Sequence, residues 1–514
     1  MRVFLMYRDR DLASDPTPQP QDALTKDLEL DTLINAMGRD DDYLLHVARS
    51  VLLSSLRDPD AILYRLDVLR DCIRNASVVR EMYTVTLETL ETRRRNWLGI
   101  FTHNPSAVLA SSLSLLRLLV DRAGNLKRLA DEHTLEFESE GFRRFFSMLR
   151  RDLDDEYFAT VQDQLRELGF RKGALISAEL TAGNVGTSYN LRKPRDGTWI
   201  GRVFTKRSPV YAFSIHPRDE AGARALAELE DRGLNFVANA LGQAADHILS
   251  FFTMLKHELA FYVGCLNLYD RLAELGEPVC SPVPAAPGER KHSFRGLYDV
   301  CLALTMGRRI VGNELNAEGK DLVVITGANQ GGKSTFLRSV GVAQLMMQCG
   351  MFVPAESFCA NTCARIFTHF KRKEDATMKS GKLDEELRRM SDIVDCLTPE
   401  SMVLFNESFA ATNEREGSEI ARQIVGALVE RRAKILFVTH LYDFAHSLYD
   451  TQMADAVFLR AERESDGRRT FRMIEGEPLD TSYGEDLYRS IFEERAIAAE
   501  GTTTVPALPT AEEG

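Results

Sequence analysis

The sequence is poor in cysteine, in tryptophan and in long apolar runs. Its eight cysteines among 514 residues are scattered too irregularly for the disulfide framework of a secreted protein. The most apolar long run, residues 106–120, contains an arginine and four serines, and it is too short and too polar to cross a bilayer. Residues 1–12 carry three arginines and two aspartates, unlike a signal peptide. These absences predict a cytoplasmic protein without membrane contact.

The chain also lacks a net positive charge. Its 64 lysines and arginines face 76 aspartates and glutamates, which gives a net charge of −12. Such a chain does not wrap nucleic acid as a basic protein does, so any contact with nucleic acid must come from a local patch. The hydrophobic fraction of 44% and the charged fraction of 27% are those of a globular protein.

A metal site is weakly suggested by Cys359, Cys363 and His369, which lie near one another in the sequence. Structural zinc sites use four ligands in paired spacing, and the sequence offers no second pair. Buried free thiols are the favoured interpretation.

Proline is nearly absent from residue 23 to about 170, where Leu, Arg, Glu and Ala dominate, and this pattern predicts helices. The predicted helices are 42–57, 60–74, 79–96, 106–132 and 142–168. From about residue 173, Thr, Val, Ile, aromatic residues and glycine-rich turns predict a small β element between helices.

Residues 219–275 contain no proline and predict one long helix, which Gly233 or Gly242 could break. Apolar residues recur at alternating intervals of four and three within it, a heptad seam that predicts packing along a partner helix. They are Ile248, Phe252, Leu255, Leu259, Tyr262, Leu266 and Tyr269. After a proline-rich boundary, alternating strands and helices from about 296 to 492 predict an α/β domain with a mainly parallel sheet.

A glycine-rich loop lies between a predicted strand at 321–326 and a predicted helix at 335–348. Its G-x4-G-K-S spacing in this context is typical of a phosphate-binding loop, and a chance glycine turn is the alternative. Backbone N–H groups would face the phosphates, Lys333 would reach the β- and γ-phosphates, and Ser334 would offer its hydroxyl to Mg²⁺. The predicted nucleotide-binding residues are Gly327, Ala328, Asn329, Gln330, Gly331, Gly332, Lys333, Ser334 and Thr335.

Two later strands end in polar residues, one at Asn406–Glu407 and the other at Thr439–His440. An acidic residue in this position usually holds Mg²⁺ or activates water, so Glu407 is the predicted water activator; a solvated loop carboxylate is the alternative. His440 could sense the γ-phosphate, because ligands gather at this edge of a parallel sheet. The alternative for the second pair is a capping threonine beside a surface histidine.

At these motifs the chain resembles the MutS family of DNA mismatch-repair ATPases. The matching segments follow the family's order over about 325–485: TGANQGGKSTFLRS, CGMFVPAE, IFTHF, SGKLDEEL, LFNESFAATNEREGSEIA, FVTHLYDF and SYG. A weaker resemblance covers roughly 25–290. The resemblance implies a multidomain protein with an all-α lever and core region, a small β insertion and an α/β P-loop ATPase domain of the ABC type.

On this basis the chain divides into six predicted parts. They are an N-terminal segment (1–22), a helical core (23–170), a β-rich clamp-like insertion (171–218), a long lever helix with its linker (219–290), the MutS-type ATPase domain (291–495) and a disordered tail (496–514).

The resemblance also implies a homodimer with two composite ATP sites, which use ATP and Mg²⁺ and hold DNA between levers and clamps. Ser380 and Gly381 occupy the place of a loop that crosses to the partner's nucleotide in the family; a flexible surface loop is the alternative.

Two departures from the family pattern stand out. The family's Mg²⁺-binding aspartate is replaced by Asn406, which supplies no charge to a hard cation, so ATP hydrolysis should be slow while nucleotide binding survives. The chain also starts directly at the helical core, and the family's F-x-E wedge does not occur in the first 170 residues. The aromatic wedge that unstacks a mismatch is therefore missing, and direct recognition of mismatches stays open.

A local positive island lies between residues 189 and 218, where one acidic residue stands among interleaved aromatic and basic residues. The basic residues are Arg192, Lys193, Arg195, Arg202, Lys206, Arg207 and Arg218. The island could neutralise DNA phosphates without reading bases, or it could be the solvated face of a β-hairpin. Both interpretations stay open.

The leading hypothesis is an ATP-dependent DNA-binding protein of the MutS type, with weak ATP hydrolysis, acting on duplex or branched DNA in mismatch repair or recombination. The alternative is a nucleotide-binding scaffold with little ATPase activity and no specific DNA binding. A coiled-coil ATPase of the chromosome-maintenance type would need helical arms much longer than residues 219–275 provide.

Overall fold

The computed structural model describes residues 1–12, 22–96, 105–168, 175–183, 186–192, 214–216, 218–372, 381–464 and 468–479. The helices are α1 (Asp22–Asp27), α2 (Leu30–Gly38), α3 (Asp42–Leu52), α4 (Pro59–Arg74), α5 (Ala76–Asn96), α6 (Pro105–His133), α7 (Glu140–Asp152), α8 (Asp155–Glu167), α9 (Glu220–Glu274), α10 (Val300–Met306), α11 (Lys333–Gln348), α12 (Lys382–Cys396), α13 (Glu414–Glu430) and α14 (Tyr442–Asp450). The strands are β1 (Leu175–Leu180), β2 (Gly186–Arg192), β3 (Val283–Ala285), β4 (His292–Leu297), β5 (Asn313–Asn316), β6 (Leu322–Thr326), β7 (Ser357–Asn361), β8 (Ile366–Phe370), β9 (Met402–Asn406), β10 (Lys434–Val438), β11 (Ala456–Arg463) and β12 (Arg469–Glu475).

The chain forms two compact units. The first is drawn from residues 1–15 and 67–266, and the second from residues 16–66 and 267–514. Among the helices that the structure describes, none combines the length and the apolarity that a bilayer crossing requires.

The first unit is helical, and a cluster of phenylalanines marks part of its core. Phe142, Phe145 and Phe146 of α7 pack with Phe137, with ring centroids 4.4–5.9 Å apart. Phe251 of α9 stacks on Phe145 at 6.5 Å. All five side chains are buried, so the cluster stabilises the unit mainly by removing aromatic surface from water.

The segment predicted as one helix at 142–168 is in fact two helices, α7 and α8. The break falls at Leu153–Asp154, where the carboxylate of Asp154 accepts a hydrogen bond from the backbone N–H of Tyr157 at 2.7 Å. An aspartate in this position satisfies a free N–H group of the first helical turn, which favours a new helix start. The prediction of a single helix was wrong because the local cap outweighs the continuous helical composition.

The long helix α9 runs from Glu220 to Glu274, and neither Gly233 nor Gly242 breaks it. A Cβ at Gly233 would lie 2.6 Å from Cδ1 of Ile176 in β1, so the missing side chain lets the hairpin approach this helix. Residues outside the predicted heptad seam, such as Leu249 and Phe261, are buried as well as those within it. The helix is therefore buried on more than the one face that the predicted heptad seam would bury.

The N-terminal residues of the first unit are held by one buried carboxylate on α9. Glu258 accepts hydrogen bonds from the backbone N–H groups of Leu5, Met6 and Leu12, at 2.7–3.1 Å. The hydroxyl of Tyr262 donates to the carbonyl oxygen of Leu5 at 2.6 Å. Burial raises the pKa of Glu258 to about 7, although the three backbone N–H groups oppose this shift.

The described part of the predicted β insertion is an antiparallel hairpin, β1–β2. Arg192 ends β2 with an exposed side chain, and its Nε donates to Oγ of Ser177 at 2.9 Å. Arg218, the last member of the positive island, is described and exposed. The remaining members, Lys193, Arg195, Arg202, Lys206 and Arg207, lie outside the described residues, as does the whole predicted tail at 496–514.

The second unit is built on a six-stranded sheet with the order β12-β11-β6-β10-β9-β8. All neighbours pair in parallel except β12, which is antiparallel to β11. The central strands β6, β9 and β10 are almost entirely buried, as expected for a parallel sheet covered by helices on both faces. A second, mixed sheet has the order β3-β7-β4-β5.

The register of the parallel strands brings three loops to one edge of the sheet. Val438 at the end of β10 pairs with Ile325 of β6 on one side and with Asn406 of β9 on the other. The segments that follow these strands therefore start side by side. This is the edge where ligands bind in open α/β sheets.

Candidate functional site

The glycine-rich loop at 327–332 joins β6 to α11 and packs closely against β11. Gly327 and Gly332 have φ angles of 109° and 92°, which residues with a side chain rarely adopt. A Cβ at Gly327 would lie 2.9 Å from the backbone nitrogen of Ala461, and one at Gly331 would lie 2.8 Å from Cβ of Ala461. Gly327 is thus required by both conformation and packing, Gly331 by packing and Gly332 by conformation.

Lys333 begins α11 and folds back over the loop. Its Nζ donates to the carbonyl oxygens of Gly327 at 2.7 Å and Ala328 at 2.9 Å. Burial lowers the pKa of Lys333 to about 8, and the negative charge of Glu407 opposes the shift. A buried ammonium group whose partners are neutral carbonyls is well placed to attract an anion.

The next residue, Ser334, meets the end of β9. Its Oγ donates to Oδ1 of Asn406 at 2.9 Å. The two side chains bring a hydroxyl and an amide oxygen together, both of which are neutral ligands for a hard cation. The pair lacks the carboxylate that would attract such a cation by charge.

Glu407 and His440 form a hydrogen-bonded pair in the site. Oε1 of Glu407 lies 3.1 Å from Nε2 of His440, and Oε2 lies 3.8 Å from Nζ of Lys371. The hydrogen bond with His440 lowers the pKa of Glu407 in spite of partial burial, and the charges of His440, Lys371 and Lys333 add to the effect. Glu407 is therefore held as a carboxylate that can accept a proton.

His440 also lies beside Lys333, with 3.3 Å between Nε2 and Nζ. A carboxylate can only accept, so the Nε2 proton is directed to Glu407. The neighbouring Thr439 is buried, and its Oγ1 accepts a hydrogen bond from the backbone N–H of Leu441 at 2.9 Å. Thr439 therefore acts as a local cap, while His440 donates to the carboxylate of Glu407 and lies beside the ammonium group of Lys333 without accepting from it.

A cavity of about 480 Å³ opens beside the glycine-rich loop. The loop residues Asn329 to Thr335 and Glu407 border it, and its remaining lining includes several apolar side chains. Among the apolar residues are Leu302, Met306, Ile310, Val311 and Phe471. They belong to none of the motifs that the sequence presents, since they come from segments far apart in the chain.

The remaining predicted site residues are placed only in part. Gly381 precedes α12 as its exposed N-cap residue, and Ser380 lies outside the described residues. Cys359 and Cys363 are free thiols, and both ring nitrogens of His369 lie within 3.0 Å of protein oxygens. Across the part of the chain that the structure describes, no group of three or more His, Cys, Asp or Glu residues could hold a metal ion.

Comparison with known families gives two matches. Residues 57–275 match the MutS2 N-terminal domain, and residues 323–503 match MutS domain V. The chain belongs to the MutS family. This confirms the resemblance that the sequence motifs carry, and the two matches together cover most of the chain.

Individual MutS-family relatives match shorter stretches. The chain is 35% identical over 205 residues to the DNA mismatch repair protein MutS of Thermotoga neapolitana, which covers 40% of this chain and 25% of that protein. It is 29% identical over 168 residues to MutS protein homolog 4 of Mus musculus, which covers 33% of this chain and 17% of that protein. It is also 29% identical over 257 residues to the DNA mismatch repair protein MutS of Thermus aquaticus, which covers 50% of this chain and 31% of that protein. The matches thus span less than a third of these relatives' own lengths.

Proposed function

We propose that this chain is an ATP-dependent DNA-binding protein of the MutS type that hydrolyses ATP weakly, in DNA mismatch repair or recombination. The observation that carries the proposal is the convergence of Lys333, Ser334, Glu407 and His440 at the ends of three parallel strands, beside a cavity with apolar side chains. Lys333 and Ser334 suit the phosphates and their Mg²⁺, Glu407 with His440 suits a proton acceptor, and the apolar surface suits a nucleotide base.

ATP would lie with its phosphates on the glycine-rich loop and its base among the apolar residues of the cavity. Lys333 would exchange its two carbonyl partners for β- and γ-phosphate oxygens, a charge-assisted contact that is stronger than the present one. Ile310 and Phe471 offer apolar surface to the base. The volume of about 480 Å³ lies within the range typical of small-molecule sites.

Mg²⁺ would be held by Ser334 and Asn406 together with the phosphates. The hydroxyl and the amide oxygen lie 2.9 Å apart, and Mg²⁺ commonly takes one or two protein ligands and fills its other positions with phosphate oxygens and water. Bound there, the ion would neutralise charge on the phosphates. Because neither protein ligand is charged, we propose that the ion arrives with ATP and binds weakly without it.

Glu407 would accept a proton from the attacking water, and His440 would keep Glu407 ionised and oriented. Weak hydrolysis follows from the neutral Asn406, since less positive charge is fixed beside the phosphates. Ser380 and Gly381 would complete the site of a second copy in a homodimer, and Gly381 is the N-cap residue of α12.

DNA would contact the positive island that begins at Arg192. The arginine is exposed at the end of the hairpin, and the residues that follow it are rich in positive charge. Contacts of this kind go to phosphates, so they bind duplex or branched DNA without selecting a sequence.

The experiment that tests the proposal is ATP hydrolysis by the purified protein, with and without duplex DNA, across a salt series. We expect slow turnover that DNA changes, with the change fading as salt rises, because phosphate contacts release counterions. Turnover that ignores DNA at every salt concentration would contradict the DNA-binding half of the proposal.

A second candidate function is a nucleotide-binding scaffold, and the neutral pair Ser334–Asn406 is the observation that favours it. In that case ATP would bind tightly, no turnover would be detected, and DNA would have no effect. The same experiment therefore separates the two functions.

A further inference from the structure

The turn that carries Glu407 has an unusual backbone. Glu407 and Phe409 have φ angles of 54° and 63°, in the left-handed region that residues with a side chain seldom adopt. Such conformations persist only where the surroundings enforce them, and they concentrate at functional sites.

One of the groups that enforce this turn is the carboxylate of Glu386 on α12. Its Oε2 accepts a hydrogen bond from the backbone N–H of Phe409 at 2.8 Å. Both residues are buried, with exposed fractions of 3% and 0%, so water does not compete for the bond. The bond fixes the residue two positions after Glu407.

A second group is His369 at the end of β8. Oγ of Ser408 lies 2.6 Å from the carbonyl oxygen of His369 and 2.7 Å from its Nδ1. Nε2 of His369 donates to the carbonyl oxygen of Glu386 at 3.0 Å, and the imidazole stacks on the ring of Phe409 with centroids 5.3 Å apart. The histidine thus joins the turn to the helix that carries Glu386.

On its other side, the turn is held by contacts with the main chain of β10 and α13. The N–H of Glu407 donates to the carbonyl oxygen of Val438 at 2.9 Å. A Cβ at Gly417 of α13 would lie 2.5 Å from the carbonyl oxygen of Phe409, so the helix packs directly on the turn. With these backbone contacts already in place, Glu386 supplies a side-chain hydrogen bond that could be removed without touching the main chain.

We propose that Glu386 is the positioning residue of the hydrolytic step, because its carboxylate holds the turn in the conformation that aims Glu407 at the nucleotide. Glu386 does not touch the nucleotide in this scheme, and it acts through Phe409 and Glu407. The proposal rests on the proposed function, since it assigns to Glu407 the role of accepting a proton from water.

The test compares four variants by turnover and by ATP affinity measured separately. Glu386→Ala should lower kcat by roughly 10- to 100-fold, the scale expected when a reacting group is misplaced by about 1 Å, while the Kd for ATP changes less than about twofold. Glu386→Gln should keep most of the rate, because its amide oxygen still accepts the Phe409 N–H. Glu386→Asp keeps the charge without the reach and should be slow. Asp384→Ala, an exposed acid on the same helix, is the control and should match the unaltered protein.

Opposite results would overturn the proposal. A fast Asp variant with a slow Gln variant would mean that charge rather than reach matters. Equal turnover in Glu386→Ala and Asp384→Ala would remove the role altogether. If the Ala variant does not fold, the contrast between Gln and Asp decides the matter.

Amide hydrogen exchange in residues 405–412 gives a readout that does not depend on turnover. Faster exchange at Phe409 in the Asp variant than in the Gln variant is expected, with unchanged exchange in the glycine-rich loop. If the unaltered protein shows no turnover, the proposed function fails and the catalytic role fails with it. Unchanged exchange at Phe409 would instead show that Glu386 does not hold the turn.

Discussion

The glycine-rich loop at 327–332 and the turn at 406–409 lie side by side, yet they keep unusual backbone conformations by different means. In the loop, Gly327 and Gly332 adopt positive φ angles at little cost, with Gln330 at 60° between them, and the missing side chains of Gly327 and Gly331 let the backbone pack on β11. In the turn, Glu407 and Phe409 adopt positive φ angles despite their side chains, and buried polar contacts hold them. The loop is therefore sensitive to an added atom, and the turn to a lost hydrogen bond.

This difference also separates two tasks. The loop and Lys333 provide groups that attract phosphate, and the turn provides the carboxylate that can accept a proton. If the division is real, changes in the turn should alter turnover and changes in the loop should alter binding.

The largest effect is expected from Glu407→Gln. Removal of the proton acceptor should lower the hydrolysis rate by about 10²- to 10⁴-fold, the usual contribution of general base catalysis, while ATP still binds. Single-turnover hydrolysis and nucleotide titration measure the two quantities. Glu419→Gln, at an exposed position on α13, is the matched control and should leave both unchanged. Loss of ATP binding in Glu407→Gln would break the division of tasks.

Lys333→Ala should act on binding instead. A hydrogen bond to a charged group contributes about 1.5–3 kcal/mol, so the affinity for ATP should fall by roughly 10- to 100-fold. Calorimetric titration with ATP measures the effect, and Lys291→Ala, an exposed lysine paired with Glu289, is the control. Retained affinity with slow turnover would place Lys333 with the turn rather than with the loop.

Asn406→Asp tests the place where loop and turn meet, since Asn406 accepts the hydrogen bond from Ser334. A carboxylate there should attract Mg²⁺ and raise the hydrolysis rate by roughly tenfold, which corresponds to about 1.4 kcal/mol of barrier. The Mg²⁺ concentration for half-maximal rate should fall as well. Asn316→Asp makes the same charge change at an exposed position of the second sheet and should have no effect. A slower Asn406→Asp enzyme would mean that the site is organised differently.

The smallest expected effect is on stability, and it concerns two glycine-to-alanine changes, one of them in the glycine-rich loop. Gly319 and Gly327 both have positive φ, at 72° and 109°, but a Cβ at Gly319 would meet nothing within 4 Å. Gly319→Ala should cost about 1–2 kcal/mol of unfolding free energy from backbone strain alone. Gly327→Ala should cost more, because its Cβ would press on the backbone of β11. Denaturant unfolding of the two variants gives the difference, and equal costs would show that packing on Ala461 contributes nothing.

Local sequence patterns were enough to predict the strand–loop–helix order and the parallel sheet of the second unit. The strand–loop–helix order around Lys333 follows from neighbouring residues, and parallel strands bring their carboxyl ends together, so the meeting of Ser334 with Asn406 could be expected. The roles of these residues stay predictions.

Contacts between distant segments could not be read from the sequence in the same way. Glu386 meets Phe409 through the packing of α12 on the sheet, and no spacing in the sequence encodes that bond. The apolar lining of the cavity likewise joins residues near 302–311 with Phe471. At 142–168 the local signal was present, since Asp154 is a good N-cap residue, but the helical composition on both sides concealed it.

The carboxylate of Glu258, which holds residues 1–12, makes the stability of the first unit depend on pH. Because burial raises the pKa of Glu258 from an ordinary value of 4.5 to about 7, folding takes up a proton between these values. The stabilising contribution is complete below pH 4.5 and is lost as the pH rises through 7. Between pH 5 and pH 8, the thermal midpoint of the unaltered protein should therefore fall more than that of Glu258→Gln. The difference should be about 2–4 °C for each kcal/mol of unfolding free energy that is lost.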